Sequence, residues 1–294
     1  MPVVPISSLG DANTWRCGRF EFAIRRPLIM GIVNVTPDSF SDGGRFFDAS
    51  TAIAHAHRLI EEGADLIDIG GESTRPDASE VSLDDELARV LPVVDALSEA
   101  PVALSIDTSK AEVMRAALSR GASVINDVRS LSEPGALDVV TQSDCGVVIM
   151  HMQGTPQTMQ IDPRYVDVTA EVSAFLRDRC KQIESAGIAR DRIALDPGFG
   201  FGKTHAHNFE LLAHLGEVAA LGRPLVIGIS RKGMLKHATG RSVGERTMAS
   251  AAAALIALER GARIVRVHDV AATRDALAVW QTTREHLKSQ RGQA

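Results

Sequence analysis

Short apolar runs alternate with stretches of helical composition along most of the chain. Strand-like runs stand at Leu28–Asn34, Leu66–Gly70, Ala103–Asp107, Val124–Asp127, Gly146–His151, Ile193–Asp196, Leu225–Ile229 and Ile264–His268. The first, through Leu28, Ile29, Met30, Ile32 and Val33, is apolar at nearly every position, as a strand covered on both faces requires. Between the runs lie Asp48–Glu62, Asp84–Ser98, Lys110–Arg120, Gly135–Ser143, Val166–Ala186, Asn208–Ala220 and Arg246–Arg260, and Ala271–Leu287 follows the last. Eight strands, each followed by a helix, predict an α/β fold, a (β/α)8 TIM barrel. A doubly wound open sheet is the alternative; it usually runs shorter and would carry a glycine fingerprint at its first turn. Gly63, Gly121, Gly187 and Gly261 each follow a helical stretch and precede a strand, where a left-handed helix cap is expected. Residues 1–27 show no helical period. Phe20, Phe22 and Ile24 alternate with Glu21, Ala23 and Arg25, which predicts a short strand or hairpin plugging the barrel beneath its first strand. The barrel is expected over 28–288, with 289–294 as a tail and no linker.

Composition narrows the function. The 294 residues are 45% hydrophobic, enough for a sizeable core. A net charge of −5 and 4% aromatic content argue against a nucleic-acid surface. Cys17, Cys145 and Cys180 are far apart and odd in number, and read as reduced buried thiols. The first residues show no signal-peptide pattern and no run of 18 apolar residues exists, so a cytoplasmic protein without a membrane span is expected.

The chemistry gathers at strand ends. They carry Asn34, Asp107, Asn126-Asp127, His151 and Asp196, while Asp68 lies within the second strand, which runs into Gly71-Glu72-Ser73-Thr74-Arg75-Pro76. The seventh runs into Ser230-Arg231-Lys232, and the eighth carries Arg266 and His268, two apart and therefore on one face. In a barrel these ends converge on one rim. Arg75, Lys232, Arg266 and His268 there suggest an anionic ligand. Other motifs fail. Gly198-Phe199-Gly200-Phe201-Gly202-Lys203-Thr204 resembles a P-loop, but Pro197 occupies its first glycine position. Its glycines read either as letting backbone approach a flat ligand, with Phe201 as a wall, or as a flexible loop. His205 and His207 are too close for a helical zinc pair, His55 and His57 read as surface residues, and Ser230 with His268, both at strand ends, would need a demonstrated hydrogen bond to make a triad.

Eight blocks, in order from about residue 28 to 270, resemble the dihydropteroate synthase family of folate biosynthesis, the target of sulfonamides. They are Asn34–Gly44, Gly71–Pro76, Ser105–Thr108, Ile125–Asp127, His151–Gly154, Asp196–Lys203, Ser230–Lys232 and Arg266–Asp269. The resemblance implies a transferase that condenses 6-hydroxymethyl-7,8-dihydropterin diphosphate with 4-aminobenzoate, giving 7,8-dihydropteroate and diphosphate by a dissociative, cation-like displacement. It implies a pterin site of Asp107, Asn126, Met150, Asp196, Phe201 and Lys232, and a diphosphate site of Asn34, Arg266 and His268, with Asn34 as a ligand to Mg2+. It further implies 4-aminobenzoate contacts at Phe40, Thr74, Arg75 and Gly233, and catalytic roles for Asp38, Asp107 and Lys232. The loops carrying Asp38, Phe40, Thr74 and Arg75 would close over the site.

Gly233 departs from the serine expected after Ser-Arg-Lys, and Asp77 stands where glycine is expected. The first puts the contact to the 4-aminobenzoate carboxylate in question. A homodimer is the family tendency, and the Ala-rich stretch Met248–Leu258 could pack closely on another helix. A methyltetrahydrofolate-binding methyltransferase, sharing the barrel and pterin pocket, and a silent pterin-binding scaffold are the other readings. The first would not need the diphosphate set of Asn34, Arg266 and His268, nor the first loop; the intact mouth argues against the second.

Overall fold

The structure is a computed structural model describing residues 14–35, 45–73 and 80–291. An N-terminal hairpin, β1 (Thr14–Cys17) and β2 (Phe20–Ala23), precedes eight parallel strands: β3 (Leu28–Asn34), β4 (Leu66–Gly70), β5 (Ala103–Asp107), β6 (Val124–Asp127), β7 (Gly146–Met150), β8 (Ile193–Asp196), β9 (Val226–Ile227) and β10 (Ile264–Val267). Their order is β8-β7-β6-β5-β4-β3-β10-β9, and a parallel bridge between Leu195 and Leu225 joins β8 to β9. The sheet therefore closes on itself, which excludes the doubly wound alternative.

Among the described residues ten α-helices surround it: α1 (Arg45–Glu61), α2 (Leu83–Leu97), α3 (Ala111–Leu118), α4 (Ala136–Thr141), α5 (Val168–Ser185), α6 (His205–Ala213), α7 (Leu215–Ala219), α8 (Gly233–Thr239), α9 (Thr247–Glu259) and α10 (Val270–Arg291). The stretch expected as one helix over 208–220 is two, parted at His214, which caps the end of one and the start of the other. Helix α8 was not expected; seven residues are too few to show a period. Strand β9, Val226–Ile227, is only two residues long, lying between Pro224, which has no N–H to give, and Gly228. Helix α10 continues to Arg291, into the stretch expected as tail.

Side chains alternate across each strand and divide the core in two. Ile67, Ile69, Leu104, Ile106, Ile125, Val147, Ile149, Ile193, Leu195, Val265 and Val267 face outward and are buried with the helices. The inward positions Leu28, Met30, Leu66, Ala103, Val124, Val148, Ala194, Val226 and Ile264 form a separate cluster inside the barrel with Trp15, Cys17 and Ile24 of the hairpin segment. The hairpin thus plugs the barrel floor. It sits under the starts of β6 to β8 rather than under the first strand. The Gly18 amide donates to the Asp144 carbonyl (2.9 Å), Trp15 Nε1 donates to the Arg192 carbonyl (3.0 Å), and Gly18 lies against Ser123. Gly146 carries no side chain because a Cβ there would fall 2.4 Å from Cys17 Sγ.

Trp15 is fully buried and hydrogen-bonded. Trp15→Ala is expected to lower unfolding free energy by about 3–5 kcal/mol, read from the denaturant midpoint at constant slope.

Candidate active site

One layer above the apolar floor, the same parity turns polar groups inward. Asp68 lies two residues beyond Leu66, Ser105 beyond Ala103, Asn126 beyond Val124, Met150 beyond Val148, Asp196 beyond Ala194 and Arg266 beyond Ile264. Register places Asp68 beside Ser105, Asp107 beside Asn126, and Met150 beside Asp196. Asp68 is fully buried and accepts from Ser105 Oγ (2.5 Å), Asn126 Nδ2 (3.1 Å) and Arg266 Nε (2.6 Å). Arg266 Nη2 reaches on to Asp107 (2.8 Å). One guanidinium therefore spans two carboxylates inside the barrel, giving a separate N–H to each. Burial pushes the Asp107 carboxyl up to about 7, against the pull of Arg266. The two carboxylates together hold Arg266 above its ordinary range despite its burial.

Across the layer, Asp196 is 7% exposed and accepts from the Gly198 amide (2.7 Å). Burial raises its pKa, and the charge of Lys232 opposes that rise. Lys232 is pushed down to about 8 by burial, with Asp196 pulling the other way. Its ammonium bonds the Phe199 carbonyl and stands 4.4 Å from the centroid of the Phe201 ring, a cation–π contact.

The loop after β8 is held from beneath by Lys203, which the sequence left without a role. Its buried ammonium donates to the carbonyls of Gly198 (2.9 Å) and Phe201 (3.1 Å) and to His151 Nδ1 (2.9 Å). Burial takes Lys203 down to about 7; burial and the neighbouring ammonium take His151 down to about 3, leaving the imidazole neutral and able to accept. The glycines answer to this packing. A Cβ at Gly198 would lie 1.8 Å from the His151 carbonyl oxygen and one at Gly202 2.4 Å from that of Gln153, both at positive φ. These two glycines admit a neighbouring loop rather than a ligand. Gly200 lies against the Lys232 side chain instead.

Above the layer opens a cleft of about 1270 Å³, bounded by Asn34, Phe201, Lys232, Gly233, Arg266 and His268. Ser230 Oγ lies 3.0 Å from His268 Nδ1, and Asp269 pairs with Arg231. His55 is half-buried in the cleft wall rather than a free surface residue. His207 caps α6 together with Thr204.

A sequence profile for the family described as pterin binding enzyme matches residues 30–268. A dihydropteroate synthase of Neisseria meningitidis serogroup C is 51% identical over 274 residues, spanning 92% of this chain and 97% of its own. This chain belongs to the dihydropteroate synthase family. Two solved family structures agree. The Xanthomonas albilineans enzyme with 4-aminobenzoic acid has a TM-score of 0.88 at 51% identity, covering 92% of this chain and 98% of its own. The Burkholderia cenocepacia enzyme complexed with 7,8-dihydropteroate has a TM-score of 0.86 at 51% identity, covering 94% and 98%.

The fold thus brings Asn34, Asp107, Asn126, Met150, Asp196, Phe201, Lys232, Gly233, Arg266 and His268 to one end of one barrel. Asp38, Phe40, Thr74 and Arg75, and with them Asp77, lie outside the described residues. Sequence reasoning for this dihydropteroate synthase family member gave no role to Asp68 or Ser105. The signal was present, since both share the inward parity of Asp107, but each sits two residues below a strand end. Asp68→Asn removes a carboxylate shared by Arg266, Asn126 and Ser105, and is expected to cost about 3–5 kcal/mol of stability. The same change at Asp162, in an exposed pair with Arg164, is expected to leave the denaturant midpoint unchanged.

Proposed function

We propose that the chain condenses 6-hydroxymethyl-7,8-dihydropterin diphosphate with 4-aminobenzoate, releasing diphosphate and 7,8-dihydropteroate. The observation that carries this reading is the edge of acceptors and donors, Asp107, Asn126 and Asp196 facing Lys232, beneath a cleft with cations at its rim. A dihydropterin offers N–H donors on one edge and a carbonyl on another. Asp196 can accept two such donors side by side, Asn126 and Asp107 complete that edge, and Lys232 donates to the acceptor side. Phe201 and Met150 line the flat faces. Family likeness adds Asp38, Phe40, Thr74 and Arg75 as lid residues around 4-aminobenzoate, with Gly233 beside it.

The diphosphate faces Arg266, His268 and Asn34. Among the described residues no three His, Cys, Asp or Glu side chains could hold a metal. The rim offers the neutral amide of Asn34, next to Gly70. That single hard oxygen donor fits Mg2+ brought in on phosphate oxygens, and the ion would neutralise charge on the departing group. The ring carries positive charge at its methylene as diphosphate leaves, and the Asp107 carboxylate stabilises that charge. The arylamine is neutral at pH 7 and needs no strong base.

Diphosphate release that requires both the pterin diphosphate and 4-aminobenzoate is the test; a methyltetrahydrofolate-dependent methyltransferase or a binding scaffold would release none. Asp107 acts as its anion and Lys232 as its cation, so kcat/KM for the pterin substrate is expected to rise with pH through about 7 and to fall again above about 8. Asp107→Asn is expected to lose the rising limb and to lower kcat about 100-fold or more. Turnover near wild type with pterin binding intact would remove Asp107 from this role.

We also propose a homodimer formed through α9. This helix is apolar on nearly every side, yet Met248 is 80% and Ile256 42% exposed on it. An all-apolar helix belongs in an interior. Light scattering is expected to give twice the 31.4 kDa chain mass, and Met248→Glu with Ile256→Glu to give the monomer. Cys17, Cys145 and Cys180 are all free and buried, which suits the reducing cytoplasm.

A further inference from the structure

The second substrate ends in a carboxylate, and that anion needs a donor at the mouth. Most Lys, Arg and His side chains lining the cleft are already engaged among the described residues. Arg266 spans Asp68 and Asp107, and Arg231 holds Asp269 through two nitrogens. Lys232 bonds the Phe199 carbonyl, and buried Lys203 bonds His151 and the Gly198 and Phe201 carbonyls. Arg58 meets His55 and Glu62, and His268 meets Ser230. His205 carries none of these commitments. It lines the same cleft, its ring is exposed, and it stacks on His237 with centroids 4.9 Å apart and planes at 28°.

Gly233 stands beside this pair. A Cβ there would lie 3.4 Å from His205 Cε1, and its absence leaves the edge of the imidazole open to the cleft. Exposure grows from buried Asp196, through half-buried Phe201 and Lys232, to exposed Gly233 and His205. The amine of 4-aminobenzoate must reach the pterin methylene at the inner end, so its carboxylate lies toward the outer end.

We propose that His205, backed by His237, binds the carboxylate of 4-aminobenzoate in the space left open by Gly233. This rests on the dihydropteroate synthase reading and assigns the contact that Gly233 left in question. It makes His205 a specificity residue for an anionic second substrate.

The variant His205→Ala is well suited to the test, because the cap of α6 is made by Thr204 and His207 and survives the change. Loss of one hydrogen bond to a charged group is expected to raise KM for 4-aminobenzoate about tenfold, with kcat and the pterin KM within about twofold of wild type. Inhibition by the neutral 4-aminobenzamide, measured against 4-aminobenzoate turnover, is expected to weaken less than about twofold. His237→Ala is expected to raise the 4-aminobenzoate KM by about threefold, through loss of the stacked support. An unchanged 4-aminobenzoate KM in His205→Ala, or an equal loss for the amide, overturns the inference while the function stands. A wild-type protein that releases no diphosphate from the two substrates overturns the function and this inference together.

Discussion

A closed barrel permits only every second residue of a strand to face the axis, and the rest of this molecule depends on that constraint. The inward positions read upward as an apolar floor and then a polar layer. Leu66, Ala103, Val124, Val148, Ala194 and Ile264 give way to Asp68, Ser105, Asn126, Met150, Asp196 and Arg266. A slip of one residue in β4 would exchange Asp68 for Ile67 or Ile69 and place a carboxylate among the packed helices. Register, core and site are therefore set by the same alternation.

A polar layer above an apolar floor survives only if its members satisfy one another. Asp68 does most of this, taking three donors from three different strands. It also ties down Arg266, whose other contact is Asp107. The acids Asp68, Asp107 and Asp196 share the region with the cations Arg266 and Lys232, and burial presses Asp107, Asp196 and Lys232 toward neutrality. Protonation at Asp107 and Lys232 is consequently balanced near neutral pH rather than far from it. A flat heterocycle with fixed donors and acceptors completes such a layer better than water, which it displaces.

Much of this was legible in the residue pattern, for identifiable reasons. Strands covered on both faces read as apolar runs, and their polar ends interrupt those runs abruptly, so Asp107, Asn126, Asp196 and Lys232 could be picked out one by one. Short or non-periodic elements could not. Helix α8 is seven residues long, and the place of the hairpin depends on contacts with residues far along the chain, such as Arg192. The glycine-rich loop stayed ambiguous, because a glycine reports that something comes close, not what. At Gly198 and Gly202 it is the backbone following β7, pinned by Lys203.

By itself the chain's order of residues determined the alternation of strand and helix, the barrel, and the family, because periodicity and motif are local properties carried by neighbours in sequence. Only the tertiary structure decided who partners whom. Asp68 and Arg266 are 198 positions apart, and His205 meets His237 across two helices. Charge compensation and open space are properties of distance in three dimensions, and both arise only when the eight strands close into a ring.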